Sequence, residues 1–191
     1  PDFTPFFLAE TDSLRRSYLR TNSRQIYGYC MAYHITGNES YLQLAKQGMN
    51  YLQQQNAFEN GSAISFWDRN GNPQPTLLAR NAQDLAYALL GPAAYYYLTR
   101  DQEVLSLILK NHEFVWEHYF ENSTLSEQSK LVMWVKEDFE RDTVGHKELV
   151  APLDHLNAYM LLMAKIVPDS SKNDFYARSR ELAYSIKDNF Y

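Results

Sequence analysis

Apolar positions along the chain recur at helical spacing, and they fall into paired segments of different character. The run "RQIYGYCMAYHIT", residues 24–36, is apolar nearly all the way round, which predicts a buried helix. In the next run, "ESYLQLAKQGMNYLQQQ", residues 39–55, Tyr41, Leu44, Ala45, Gly48, Met49 and Leu52 share one stripe and Gln or Lys fill the rest, which predicts a half-exposed helix. The same order returns in "QDLAYALLGPAAYYYLT" followed by "DQEVLSLILKNHEFVWEHYF", and again in "DHLNAYMLLMAKIV" followed by "NDFYARSRELAYSIKDNFY". Setting Thr36 on Thr99 gives a repeat of about 63 residues, with Val167 at the third copy. The repeating unit is a helical hairpin.

Hairpins that pair a buried helix with a half-exposed one fit two concentric layers, an inner ring covered by an outer one. The expected fold is all-α, a helical-hairpin array of α/α-toroid type, with residues 1–191 as a single domain holding about three hairpins. A plain helical solenoid is the alternative. A partial ring leaves apolar faces at both ends, so a homodimer or a missing C-terminal half is expected as partner. The start at Pro1 without a methionine fits a processed or trimmed chain. Between hairpins, residues 58–81 and 123–152 are too long for plain linkers and predict short ordered segments. "DRNGNP" after the apolar "AISFW" predicts a tight turn with a short β-hairpin, and Pro92 predicts a kink in the second buried helix.

Charge and composition narrow the partners. Lys and Arg number 18 against 23 Asp and Glu, and no basic cluster could neutralise a phosphate backbone, so nucleic acid is not expected. The longest apolar stretches are too short and too rich in tyrosine to span a bilayer, so no membrane partner is expected. The single Cys30 rules out an intrachain disulfide and leaves the compartment open. Glycosylation patterns at Asn38, Asn60 and Asn122 are read as chance matches. His34, His112, His118, His146 and His155 show no ligand spacing, and neither a nucleotide loop nor G-x-S-x-G occurs, so neither a structural zinc nor a cofactor is expected.

Candidate chemistry concentrates at the starts of the buried helices. Asp84 and Asp154 occupy equivalent places there; capping explains both, and the alternative is an acid/base pair converging on a central cavity. Asn157 lies one turn beyond Asp154 and could hydrogen-bond a ligand hydroxyl, whereas His155 points about 100° away and reads as a structural histidine. Tyr27, Tyr87, Tyr95 and Tyr159 combine apolar area with a polar tip, which suits a sugar or ordinary core packing, and Trp67 on its loop is the aromatic candidate for a binding platform. "KEDFERD", residues 136–142, reads as a solvated face, with Glu137 and Asp138 as less favoured carboxylates.

Taken together, "SRQIYGYCMAYHITGNESYLQLAKQGMNYL", "ISFWDRNGNP", "QDLAYALLGPAAYYYLTRDQEVL" and "LDHLNAYMLLM" resemble the N-acylglucosamine 2-epimerase family, which includes mannose isomerases and cellobiose 2-epimerases. The resemblance implies an (α/α)6 barrel, a small-molecule sugar as partner, a cytoplasmic setting and an Arg24 that faces the pocket. The family's His-x-His-x-x-Glu-Ala signature falls on Pro152, Asp154 and Asn157, and a further histidine position falls on Leu85, so none of its ionisable groups is matched. Epimerisation beside a carbonyl needs one group to take a proton and another to return it. The expectation is a carbohydrate-active or carbohydrate-binding protein whose epimerase chemistry is lost or altered. Asp84 and Asp154 are its catalytic candidates, and Arg24, Tyr27, Trp67, Tyr87, His155 and Asn157 its substrate-binding candidates. A non-catalytic helical-repeat interaction module is the rival, and glycoside hydrolysis the lesser enzymatic reading.

Overall fold

The computed structural model describes residues 16–59, 61–68, 70–73, 80–122, 130–132, 135–138, 143–144 and 149–191. Helix α1, Leu19–Thr36, begins before the apolar run and stops at Gly37, whose φ of 67° only glycine adopts without cost. Helix α2, Glu39–Gln54, is capped by Asn38, whose side chain accepts the Ser40 N–H. The second hairpin comprises α3 (Ala82–Ala88), α4 (Leu90–Thr99) and α5 (Gln102–His118). Arg100, at φ 57°, takes the place of Gly37 there, and Asp101 caps α5 through the N–H groups of Glu103 and Val104. In the third hairpin α6 (Val150–His155), a π-helical turn (Leu156–Met160) and α7 (Leu161–Ile166) form one rod that Val167 ends in extended conformation, followed by α8 (Asp169–Phe190).

The helices thus stop at Thr36, Thr99 and Ile166, within one residue of where the repeat puts them. Inner helices α1, α3–α4 and α6–α7 pack side by side, and α2, α5 and α8 back them, as an α/α toroid requires. Leu19, Ile26, Cys30, Ala45, Leu52, Leu89, Ile108, Met160, Phe175 and Leu182 fill the space between the layers. Helix α1 departs from the expectation of full burial. Only Leu19, Ser23, Ile26 and Cys30 are buried on it, because α2 and α3–α4 cover two of its sides and no described element covers the third; Ile35 remains 80% exposed.

The second inner helix breaks at Leu89, three residues before the proline. Pro92 has no N–H to give the Ala88 carbonyl and crowds it. Ser23 repairs the break from α1: its hydroxyl donates to the Ala88 carbonyl (3.0 Å) and accepts the Gly91 N–H (2.8 Å). Gly91 lets the helices meet there, since a Cβ on it would sit 2.5 Å from the Ser23 carbonyl oxygen. Ser23→Ala orphans both backbone groups and should cost about 1–3 kcal/mol. Gly91→Ala should cost a similar amount by forcing the helices apart, about 1–3 kcal/mol. Urea midpoints read both; an unchanged midpoint in Ser23→Ala would show that the repair contributes nothing.

The long connections carry short strands. β1 (Ser17–Tyr18) pairs with β4 (Phe66–Trp67), and β2 (Phe58–Glu59) pairs with β3 (Ser62–Ala63). The turn at Asp68 forms as expected: its carboxylate accepts the N–H groups of Asn70 and Asn72, Gly71 takes φ 79°, and a single bridge joins Trp67 to Pro73. β5 (Arg80–Asn81) pairs with β8 (Val135–Asp138), which pairs with β9 (Thr143–Val144), while β6 (Phe120–Asn122) pairs with β7 (Lys130–Val132). The second connection therefore returns a strand to the start of α3.

Candidate functional site

Three inner helices present polar side chains on one wall. Arg20 and Arg24 are one turn apart on α1 and share a face; Gln83, Asp84 and Tyr87 do so on α3. Arg20 Nη1 lies 3.5 Å from Asp84 Oδ1. The Arg24 guanidinium sits 4.1 Å from the centre of the Tyr87 ring. Tyr87 donates its hydroxyl to Asp154 Oδ1 on α6 (3.2 Å), and Gln83 Nε2 donates to Asp154 Oδ2. Side chains from α1, α3 and α6 are thus joined through Tyr87 and Gln83, with the two carboxylates on neighbouring helices.

Neither aspartate is a helix cap, which corrects the simpler expectation. Asp84 sits in the first turn of α3 but turns its carboxylate to Arg20, and Asp154 falls late in α6, beyond reach of that helix's free N–H groups. Burial raises the Asp84 pKa above its usual value, and the neighbouring Arg20 and Arg24 charges only partly oppose this.

The other candidates divide by burial. Tyr27 and Asn157 are exposed on α1 and in the π-helical turn. Trp67 is 1% exposed, packed edge-on against Tyr51, so it cannot serve as a binding platform; its pairing with β1 folds it inward. His155 is fully buried and lowered to about 4 by burial, a shift that the Ala82 backbone opposes only in part, so it cannot meet a substrate at the wall. Tyr95 and Tyr159 are core residues; Tyr159 meets His112 Nδ1 at 2.8 Å beside Phe175. Leu85 is likewise buried. Glu137 and Asp138 lie on β8, whose partner β5 leads into α3; their side chains lie outside the described residues. Arg20 and Gln83 were not among the sequence candidates. The i,i+4 spacing of Arg20 and Arg24 was the available signal for the first, and nothing in the sequence pointed to Gln83.

A separate cavity of about 410 Å³ lies between α2 and the start of α5, lined among others by Lys46, Asn50, Tyr95 and Asp101. It holds none of the wall residues. Among the described residues no helix is long and apolar enough to cross a membrane.

No protein-family model matches the sequence, and no curated protein matches it. Solved structures do. A D-mannose isomerase superposes with a TM-score of 0.71 at 19% identity, over 90% of this chain and 42% of its own. The cellobiose 2-epimerase of Bacillus thermoamylovorans gives 0.69 at 18% identity, over 87% and 43%. An unsaturated glucuronyl hydrolase from a Bacillus species gives 0.71 at 13% identity, over 94% and 48%. The fold is that of the (α/α)6-barrel enzymes. The chain spans less than half the length of each of these relatives, so its three hairpins correspond to about half a barrel, with α1, α3–α4 and α6–α7 as the inner helices. The plain solenoid is set aside.

Proposed function

We propose that the wall formed by Arg24, Tyr87, Asp84 and Asp154 binds a sugar and transfers protons on it. The observation that carries this reading is the pair of aspartates on adjacent inner helices, Asp84 paired with Arg20 and Asp154 bonded by Tyr87 and Gln83, on a fold whose solved representatives include sugar epimerases and isomerases. Asp84, with its pKa raised by burial, is suited to hold and return a proton. Asp154, held by two hydrogen bonds, is positioned to accept one. Tyr27 and Tyr87 offer faces for the C–H surface of a sugar ring, and Arg24 and Asn157 offer hydrogen bonds to its hydroxyls. The same carboxylate pair would serve glycosidic cleavage, the activity named for the glucuronyl hydrolase relatives.

The test is proton NMR in D2O on mannose, glucose, N-acetylmannosamine and cellobiose with the protein present. Loss of the C2 proton signal, or a new epimer or ketose, is the expected result; unchanged spectra without line broadening would remove the proposal. A second reading, an interaction module, draws support from exposed apolar residues on the two end helices of the inner layer. These are Tyr27 and Ile35 on α1, and Val150, Leu153 and Leu161 on α6–α7. A second copy, or further hairpins of the same ring, would cover them. Mass in solution separates the two arrangements.

A further inference from the structure

We infer that the sugar bound at this wall carries a carboxylate, and that Arg24 reads it. The inference rests on the carbohydrate reading and adds the substrate class. Arg20 already has its counter-ion in Asp84. Arg24 does not: no acidic side chain pairs with it among the described residues, and its close neighbour is the face of Tyr87. That face is itself fixed, because the Tyr87 hydroxyl is bound to Asp154. The stacked guanidinium is therefore held in place before any ligand arrives, with its N–H donors unspent on any described residue.

The charges around it point the same way. Asp84 balances Arg20, and Asp154 spends both of its oxygens on Gln83 and Tyr87, with the tyrosine ring between it and Arg24. Among the described residues Arg24 is thus the guanidinium of the wall with no carboxylate in pairing range, on its α1 side. A sugar hydroxyl accepts one N–H bond from a guanidinium, whereas a carboxylate accepts two parallel ones and meets its charge. Asp154 lies across Tyr87 from that point and Asp84 lies beside Arg20, so an acid group on Arg24 would leave the ring carbons between the two aspartates' helices.

The experiment compares binding of glucuronate, glucose and acetate by calorimetry at about 0.15 M salt, where long-range attraction is screened. Glucuronate is expected to bind at least tenfold more tightly than glucose and than acetate. In Arg24→Gln that preference should fall to threefold or less, and Arg24→Lys should restore part of it, as charge without the fork. Circular dichroism confirms the fold of each variant, and the exposed position of Arg24 favours it. Equal binding of glucuronate and glucose would overturn the inference and leave the carbohydrate reading standing. An unchanged preference in Arg24→Gln would overturn Arg24 as its reader. Acetate binding as tightly as glucuronate would reduce the site to one for any small anion, and binding of neither sugar would remove the carbohydrate reading as well.

Discussion

Asp84→Asn and Asp154→Asn are each expected to lower proton transfer on the sugar by about 10²–10⁴-fold, the usual contribution of a positioned acid or base. The fold should survive both changes. Asp84 pays for its burial with a raised pKa, so its neutral amide removes a cost at neutral pH and loses one partly exposed ion pair, two effects that oppose each other. Asp154→Asn sets an NH2 group against one of the donors Gln83 and Tyr87, which should lower stability by about 1 kcal/mol and Tm by about 2–4 °C for a chain of this size. Activity lost with the melting curve nearly unchanged separates chemistry from support. Unfolding in proportion to the lost activity would mean that the aspartates hold the helices together and do no chemistry.

The second large effect is on acid stability. His155 is fully buried between α3 and the π-helical turn, neither ring nitrogen makes a well-directed hydrogen bond, and its pKa falls from 6.5 to about 4. His112, stacked on Phe175 and bonded to Tyr159, is also held well below its usual value, by burial and then by the nearby Arg178 charge. Its second nitrogen faces Asp174 at 3.8 Å without a hydrogen bond, and that carboxylate is already paired with Arg178, which also binds Glu113 and lies over Trp116, so the nearby acid does not offset the burial. As pH falls from 6.5, the unfolded chain takes up protons that the folded chain refuses, and stability is lost down to the folded pKa values. For His155 alone the shift amounts to about 3 kcal/mol. Urea midpoints should therefore fall steeply between pH 6.5 and about 4. His155→Leu should be at least as stable at neutral pH, and its midpoint should fall less steeply. An equally steep fall in His155→Leu would show that the loss comes from other groups.

What the sequence made legible was local. The helix stops at Thr36, Thr99 and Ile166 follow from turn chemistry and an apolar period, both contained in stretches of a few residues. The break near Pro92 was legible too, but its repair was not, because Ser23 lies 68 residues from Gly91 and nothing in the sequence joins them. Trp67 read as a loop aromatic because its burial depends on pairing with Ser17, which no periodicity signals. The aspartates were found by their position at equivalent helix starts, yet their partners come from other helices. His155 read as a structural histidine from a plain 100° rotation and is buried, whereas the π-helical turn that begins at Leu156 shifts the phase for the residues beyond, Asn157 among them, which no periodicity signals.

The most direct test of the central claim is to follow the backbone amide NMR spectrum while glucuronate, mannose or cellobiose is added. If the wall is the site, shifts should concentrate at residues 20–27, 83–87 and 154–157, and in Arg24→Gln the glucuronate needed to produce them should rise to the level needed for a neutral sugar while its unliganded spectrum stays native. Shifts gathered instead around Lys46, Asn50 and Asp101, in the cavity between α2 and α5, would place any sugar on the outer layer and contradict the account.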